Sequence, residues 1–141
     1  MYERLVTIGT FDVPHVGHAA FLMQCDAIAD TVVVGVNSDA FAASFKGQPP
    51  VYNQTERMNL IRELGYDKVV LNDGPGEYIF KMWMPNVIAV GTDWLPPKDY
   101  LSQVGLDKAW LQRTGTALLF IPYTEGISTS DIRRRMTAPQ W

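Results

Sequence analysis

The chain has 141 residues and a mass of 15.8 kDa, a length that suits one domain able to bury roughly two thirds of the surface its unfolded chain exposes. Hydrophobic residues make up 47% and charged residues 19% of it, which excludes the low-hydrophobicity, high-charge class of disordered chains. With 12 Lys and Arg against 15 Asp and Glu, the net charge is −3 and the isoelectric point is near 5.2, a balance that argues against a general nucleic-acid binder.

No stretch approaches the roughly 18 consecutive apolar residues of a membrane span. Cys25 is the only cysteine, so no internal disulfide forms. The first twenty positions carry Glu3, Arg4, Asp12 and both histidines where a secretion signal would be apolar. These features predict a reduced, cytoplasmic protein folded as one domain over residues 1–141, with neither membrane nor nucleic acid as partner.

Taken in chain order, Leu5 to Gly9 reads as a strand. His18 to Ala29 reads as a helix, with Phe21, Leu22, Cys25 and Ile28 and no proline. Thr31 to Val36 is a β-branched apolar run of the kind buried on both faces of a sheet. Ser38 to Asn53, with Pro49-Pro50, reads as a long loop. Thr55 to Leu64 is helical and is ended by Gly65, and Lys68 to Leu71 is the next strand. A helix from Glu77 to Met84 stops at Pro85, because proline cannot continue it. Asn86 to Gly91 is a fourth strand, followed by a loop from Gly91 to Lys98. One helix is predicted from Asp99 to Arg113 despite Gly105, then a fifth strand from Thr116 to Ile121. Ser128 or Ser130 caps a terminal helix through Asp131, Ile132 and Arg135.

Strands alternating with helices predict an α/β fold: a single Rossmann-like, doubly wound domain with a five-stranded parallel sheet. In such sheets ligands bind beyond the carboxyl ends of the strands, so the two long loops should border the site.

The chemistry concentrates at the first of these ends. Both histidines lie in Gly9-Thr10-Phe11-Asp12-Val13-Pro14-His15-Val16-Gly17-His18, at the turn from the first strand into the first helix. Backbone N–H groups, the positive end of a helix and two imidazoles converge there, as a phosphate group requires. Gly9 and Gly17 permit close backbone approach, and a spacing of three puts both rings on one side of the helix start. Two other readings stand beside this one: a zinc site of Asp12, His15 and His18, with or without Cys25, which lies about two helical turns from His18, and two surface histidines that merely cap a helix. Arg133 to Arg135, the one basic run, is either a solvated helix face or an anion-facing cluster.

The same segment resembles the GxFDxxHxGH signature of the cytidylyltransferase family. Thr124-Glu125-Gly126-Ile127-Ser128-Thr129-Ser130 resembles that family's second signature. The similarity covers nearly the whole chain, and the chain looks most like the small, single-domain glycerol-3-phosphate cytidylyltransferases. This resemblance implies that an acceptor phosphate attacks the α-phosphorus of CTP, giving a CDP-alcohol and pyrophosphate, with Mg²⁺ accompanying the nucleotide and the protein acting as a homodimer.

It also implies roles. His15, His18, Lys46 and Thr129 would be catalytic. The nucleotide would be bound by Gly9, Thr10, Phe11, Gly17 and His18, by Asp93 and Trp94 beside the cytosine, and by Thr124, Gly126, Ile127, Ser128 and Thr129. The acceptor would meet Asp12, Lys46 and Arg57, and no metal site made of protein side chains alone is expected. Read without the resemblance, Lys46 is a surface lysine, Arg57 a solvated partner of Glu56 or Glu63, Trp94 a core residue and Ser128 a helix cap. The chain departs from the family where two phosphate-binding arginines are usual: Tyr123 and Gly65 stand in their places, with Arg62, Arg113 or Arg133 to Arg135 as substitutes. Three readings follow: the CTP-dependent transferase, an adenylyl- or cytidylyltransferase for a flavin phosphate, pantetheine phosphate, phosphoethanolamine or phosphocholine, and a nucleotide-binding sensor with little turnover.

Overall fold

The apolar run from residue 31 to 36 lies one strand in from the sheet edge, and its neighbours explain its composition. A computed structural model describes residues 1–12 and 16–122, Val16 by its backbone alone. In chain order its elements are β1 (Tyr2–Gly9), α1 (Val16–Ile28), β2 (Ala29–Asn37), α2 (Asp39–Lys46), α3 (Gln54–Glu63) and β3 (Val69–Asn72). Then follow α4 (Glu77–Trp83), β4 (Val87–Gly91), α5 (Tyr100–Gln103), α6 (Lys108–Thr114) and β5 (Ala117–Ile121). The strands form one parallel sheet in the order β3-β2-β1-β4-β5, the doubly wound arrangement predicted. The order reverses at β1, so the crevice between β1 and β4 is where such a fold leaves room for a ligand.

Side chains alternate between two cores, as the strand period of two demands. Leu5, Val32, Val34, Val87 and Ala89 face α1 and α3, where they meet Phe21, Leu22 and Ile61. Val6, Val33, Ile88 and Val90 face the other side, against Ile79, Phe80, Tyr100 and Trp110. At Gly35 a Cβ would come within 2.9 Å of Ile8 Cγ1, so the tight fit of β2 on β1 fixes a glycine there.

Two expectations are corrected. The long loop after β2 begins with a helix, α2, which Ser38 caps by accepting from Phe41 N at 3.1 Å, and which Gly47 ends with φ +81. Phe41 and Phe45 stand four apart, as a helix face requires, but the segment is short and Pro49-Pro50 close behind it favoured a loop. The single helix expected from Asp99 to Arg113 is two: Gly105 turns at φ +77, and Asp107 restarts the chain by accepting from Trp110 N at 2.8 Å. The remaining elements begin and end within a few residues of expectation, except that β1 starts three residues early at Tyr2. The predicted terminal helix lies outside the described residues.

Ser38 also donates to Asp73 Oδ1 at 2.5 Å, tying α2 to the end of β3. Ser38→Ala removes both bonds and is expected to destabilise the fold by about 1–2 kcal/mol. Urea unfolding of the two proteins measures the difference.

Candidate active site

Beyond the carboxyl ends of β1, β2, β3 and β4 lies a cavity of about 600 Å³, a size usual for a small-molecule site. Its floor starts where β1 ends. Phe11 has φ +53 and is 5% exposed. Its ring lies across Gly9, where a Cβ would come within 3.0 Å of Phe11 Cε2, and it meets the His18 ring edge-on at 5.4 Å. Gly9, Phe11 and His18 therefore form one packed unit that sets the imidazole in the first turn of α1, at the cavity wall. Gly17 is buried in the same turn.

Asp12 lines the cavity and fastens the loop above it: Oδ2 accepts from Val51 N at 2.9 Å and Oδ1 from Tyr52 N at 3.0 Å. Along the floor runs a polar ladder. Asn37 Nδ2 donates to Thr10 Oγ1 at 3.1 Å, and Asn72 Nδ2 donates to Asn37 Oδ1 at 2.9 Å. Sequence reasoning missed both asparagines, which stand at strand ends as the last residues of β2 and β3.

Arg57 does not do what was expected of it. It is fully buried. Nη1 donates to Thr10 O at 2.6 Å and Asn37 O at 2.8 Å, Nε to Tyr52 O at 2.9 Å, and Nη2 to Asp39 Oδ1 at 2.8 Å. Four donors are spent on protein acceptors, so Arg57 is neither a contact for the acceptor nor a solvated partner of Glu56 or Glu63. It locks the ends of β1 and β2 to α2 and to the loop before α3.

Lys46, in the last turn of α2, lines the cavity, as do Asp93 and Trp94 from a 3₁₀ turn directly after β4. Trp94 packs edge-on against Tyr100 at 5.4 Å and so belongs partly to the core. Lys98 Nζ sits 5.5 Å from the centre of the Trp94 ring and also lines the cavity. Lys98 ends the second loop expected to border the site, yet nothing in its local sequence marked it. Arg62 instead bonds Asn59 on the exposed side of α3, and Arg113 lies exposed at the end of α6. Among the described residues, Lys46 and Lys98 are the cations that reach the cavity with His18. Gly65 lies after α3, beside Tyr66 and Asp67 and away from this cavity. His15, Thr124, Gly126, Ile127, Ser128 and Thr129 lie outside the described residues, as do Tyr123 and Arg133 to Arg135.

The zinc reading loses its optional fourth ligand. Cys25 is fully buried in the core with Phe21 and Leu22, and burial, assisted by the nearby Asp26 carboxylate, pushes its thiol up to about 12. A thiol reagent at pH 8 is expected to leave native Cys25 unmodified while labelling the urea-unfolded chain fully. Rapid labelling of the folded protein would place the thiol at the surface.

The profile described as cytidylyltransferase-like matches residues 6–135. The FAD synthase of Pyrococcus abyssi is 37% identical over 94 residues, covering 64% of this chain and 63% of that protein. The bifunctional protein HldE of Proteus mirabilis is 33% identical over 135 residues, 92% of this chain but 27% of that protein. The chain thus spans under two thirds of the length of these relatives. A lipopolysaccharide core biosynthesis protein from Thermoplasma volcanium superposes with a TM-score of 0.67 at 25% identity, over 88% of this chain and all of the other. No described helix is long and apolar enough to cross a membrane.

Proposed function

The chain belongs to the cytidylyltransferase-like family of nucleotidyltransferases, and we propose that it transfers CMP from CTP to the phosphate of glycerol 3-phosphate, releasing pyrophosphate. One observation carries the proposal: His18 and Lys46, from elements on either side of β2, line the same cavity as Asp93 and Trp94. A triphosphate, a base and a phosphorylated acceptor each find suitable groups there.

In this reading an acceptor phosphate oxygen attacks the α-phosphorus. The bond from that phosphorus to its bridging oxygen breaks, and pyrophosphate leaves without a covalent enzyme intermediate. Such transfers ask the protein chiefly for positioning and for donors aimed at developing charge. His18 donates to the triphosphate. Lys46 holds the attacking phosphate, and Lys98 supplies a second cation from the opposite wall. Asp93 accepts from the exocyclic amine of the base, and Trp94 offers it a stacking face. His15, Ser128 and Thr129 are assigned to the triphosphate on their signatures. Mg²⁺ fits as a cation carried by the nucleotide, because Asp12 offers hard oxygen at the cavity and phosphate and water supply the rest; when bound, it would offset phosphate charge. A homodimer in the cytoplasm completes the proposal, and sedimentation equilibrium checks the assembly.

A second reading has its own support. Phe41 and Phe45 pack edge-on at 5.3 Å and both line the cavity, and the relatedness to an FAD synthase favours ATP with a flavin phosphate. The test incubates the purified chain with Mg²⁺ and either CTP and glycerol 3-phosphate or ATP and flavin mononucleotide, without acceptor in controls. Pyrophosphate and the nucleotide-linked product are measured together. Product from the first pair supports the proposal and product from the second replaces its substrates. Nucleotide binding with no product from any acceptor leaves a sensor.

A further inference from the structure

We propose that Asn72 is a specificity residue for the acceptor: its side-chain oxygen accepts a hydrogen bond from a hydroxyl of a phosphorylated polyol bound in the cavity. The inference rests on the transferase reading and narrows its substrate class.

Asn72 ends β3, is fully buried, and still lines the cavity. Both protons of its Nδ2 are spent, on Asn37 Oδ1 at 2.9 Å and Gly74 O at 2.8 Å. Both partners are acceptors, so the amide cannot be turned over: exchanging nitrogen and oxygen would set Oδ1 against two oxygens. Asn37 is fixed in the same way, since its own nitrogen donates to Thr10 Oγ1 while Asn72 occupies its oxygen. The ladder that starts under the nucleotide loop therefore has a defined polarity, and it ends in a lone pair. Among the described residues, Asn72 Oδ1 has no donor. Buried amide oxygens without partners are rare in native proteins, and each one calls for an explanation.

The position of the residue indicates the kind of donor. Asn72 and Lys46 both stand on the β2–β3 side of β1, whereas Asp93 and Trp94 follow β4 on the other side. Asn72 thus stands at the half of the cavity assigned to the acceptor. With the acceptor phosphate at Lys46, its carbon chain extends towards the strand ends. A neutral amide oxygen in a desolvated corner suits a hydroxyl. A trimethylammonium group offers it no proton, so choline phosphate satisfies nothing there.

The test needs no variant at first. The native protein is assayed with glycerol 3-phosphate, propane-1,2-diol 1-phosphate and propane-1,3-diol phosphate, the last two each lacking one hydroxyl, and with choline phosphate. A site built around a hydroxyl rejects the analogue without it strongly, because its own polar group is then left unpaired. One analogue is expected to lose at least about 10-fold in kcat/KM with the KM for nucleotide unchanged, and choline phosphate is expected to be a worse acceptor still. Asn72→Ala, where it folds, is expected to reduce the ratio between glycerol 3-phosphate and that analogue to within about 3-fold. Should flavin mononucleotide prove the acceptor, analogues lacking one ribityl hydroxyl replace the diol phosphates. Equal use of the analogues, choline phosphate as the better acceptor, or a folded Asn72→Ala that keeps full discrimination would overturn the inference and leave the transferase standing. Absence of transfer to every acceptor removes the transferase reading and this inference with it.

Discussion

His18→Ala is expected to lower kcat/KM by at least about 10²-fold while the protein still folds and unfolds cooperatively. The expectation follows from where the ring sits. It lies in the first turn of the thirteen-residue helix α1, at the cavity wall and against the edge of Phe11. There an imidazole adds its own proton to the positive end of the helix. A donor aimed at charge that develops in the transition state is worth about 10² to 10³ in rate, and its loss should fall on kcat as well as on kcat/KM. Alanine keeps the helix, because it is the best helix former, so thermal unfolding separates lost chemistry from lost structure. The same substitution at His15, its partner in the signature, is expected to act alike. Near-native turnover in a folded His18→Ala protein would remove the assigned role.

The sheet was legible in the sequence because its strands are continuous apolar runs, such as Val32 to Val34 and Val87 to Val90, that only a sheet covered on both faces can bury. The position of the crevice was legible too, since Gly9 ends β1, His18 stands in the helix that follows it, and Asp93 and Trp94 lie in the turn after β4. Other features were not. Helix α2 is only eight residues long, so its single apolar pair, Phe41 and Phe45, was too short a period to announce it, and its Ser38 cap was read as loop. Asn37 and Asn72 matter only because β2 and β3 end side by side, with those two residues in register, a relation that linear spacing does not contain. Lys98 reaches the cavity by leaning on Trp94, and before folding it is one lysine among several. Arg57 is the sharpest case: its sequence neighbours suggest a solvated helix, while its side chain is fully buried among carbonyls of residues 5, 20 and 47 positions away.

Arg57→Met is expected to cost about 3–5 kcal/mol of stability, the scale found when one partner of a buried charged network is removed. Methionine roughly fills the space but donates nothing. Thr10 O, Asn37 O and Tyr52 O would lose their donors, at about 1–3 kcal/mol for each acceptor left dry. Asp39 contributes less, because its side chain is 38% exposed and turns to water. For a chain of this size such a loss lowers the unfolding midpoint by roughly 10–20 °C. Arg57→Lys keeps the charge but not the planar fork, so it cannot reach three carbonyls and a carboxylate together and should recover less than half of the loss. Activity should fall with the fold, through KM for both substrates, because the ends of β1 and β2 and the loop that Asp12 fastens shift as one. Urea and thermal unfolding, run beside the pyrophosphate assay, distinguish this from a direct contact. A methionine variant that unfolds within a few degrees of the native protein yet loses acceptor affinity alone would return Arg57 to the substrate and sink the positioning role.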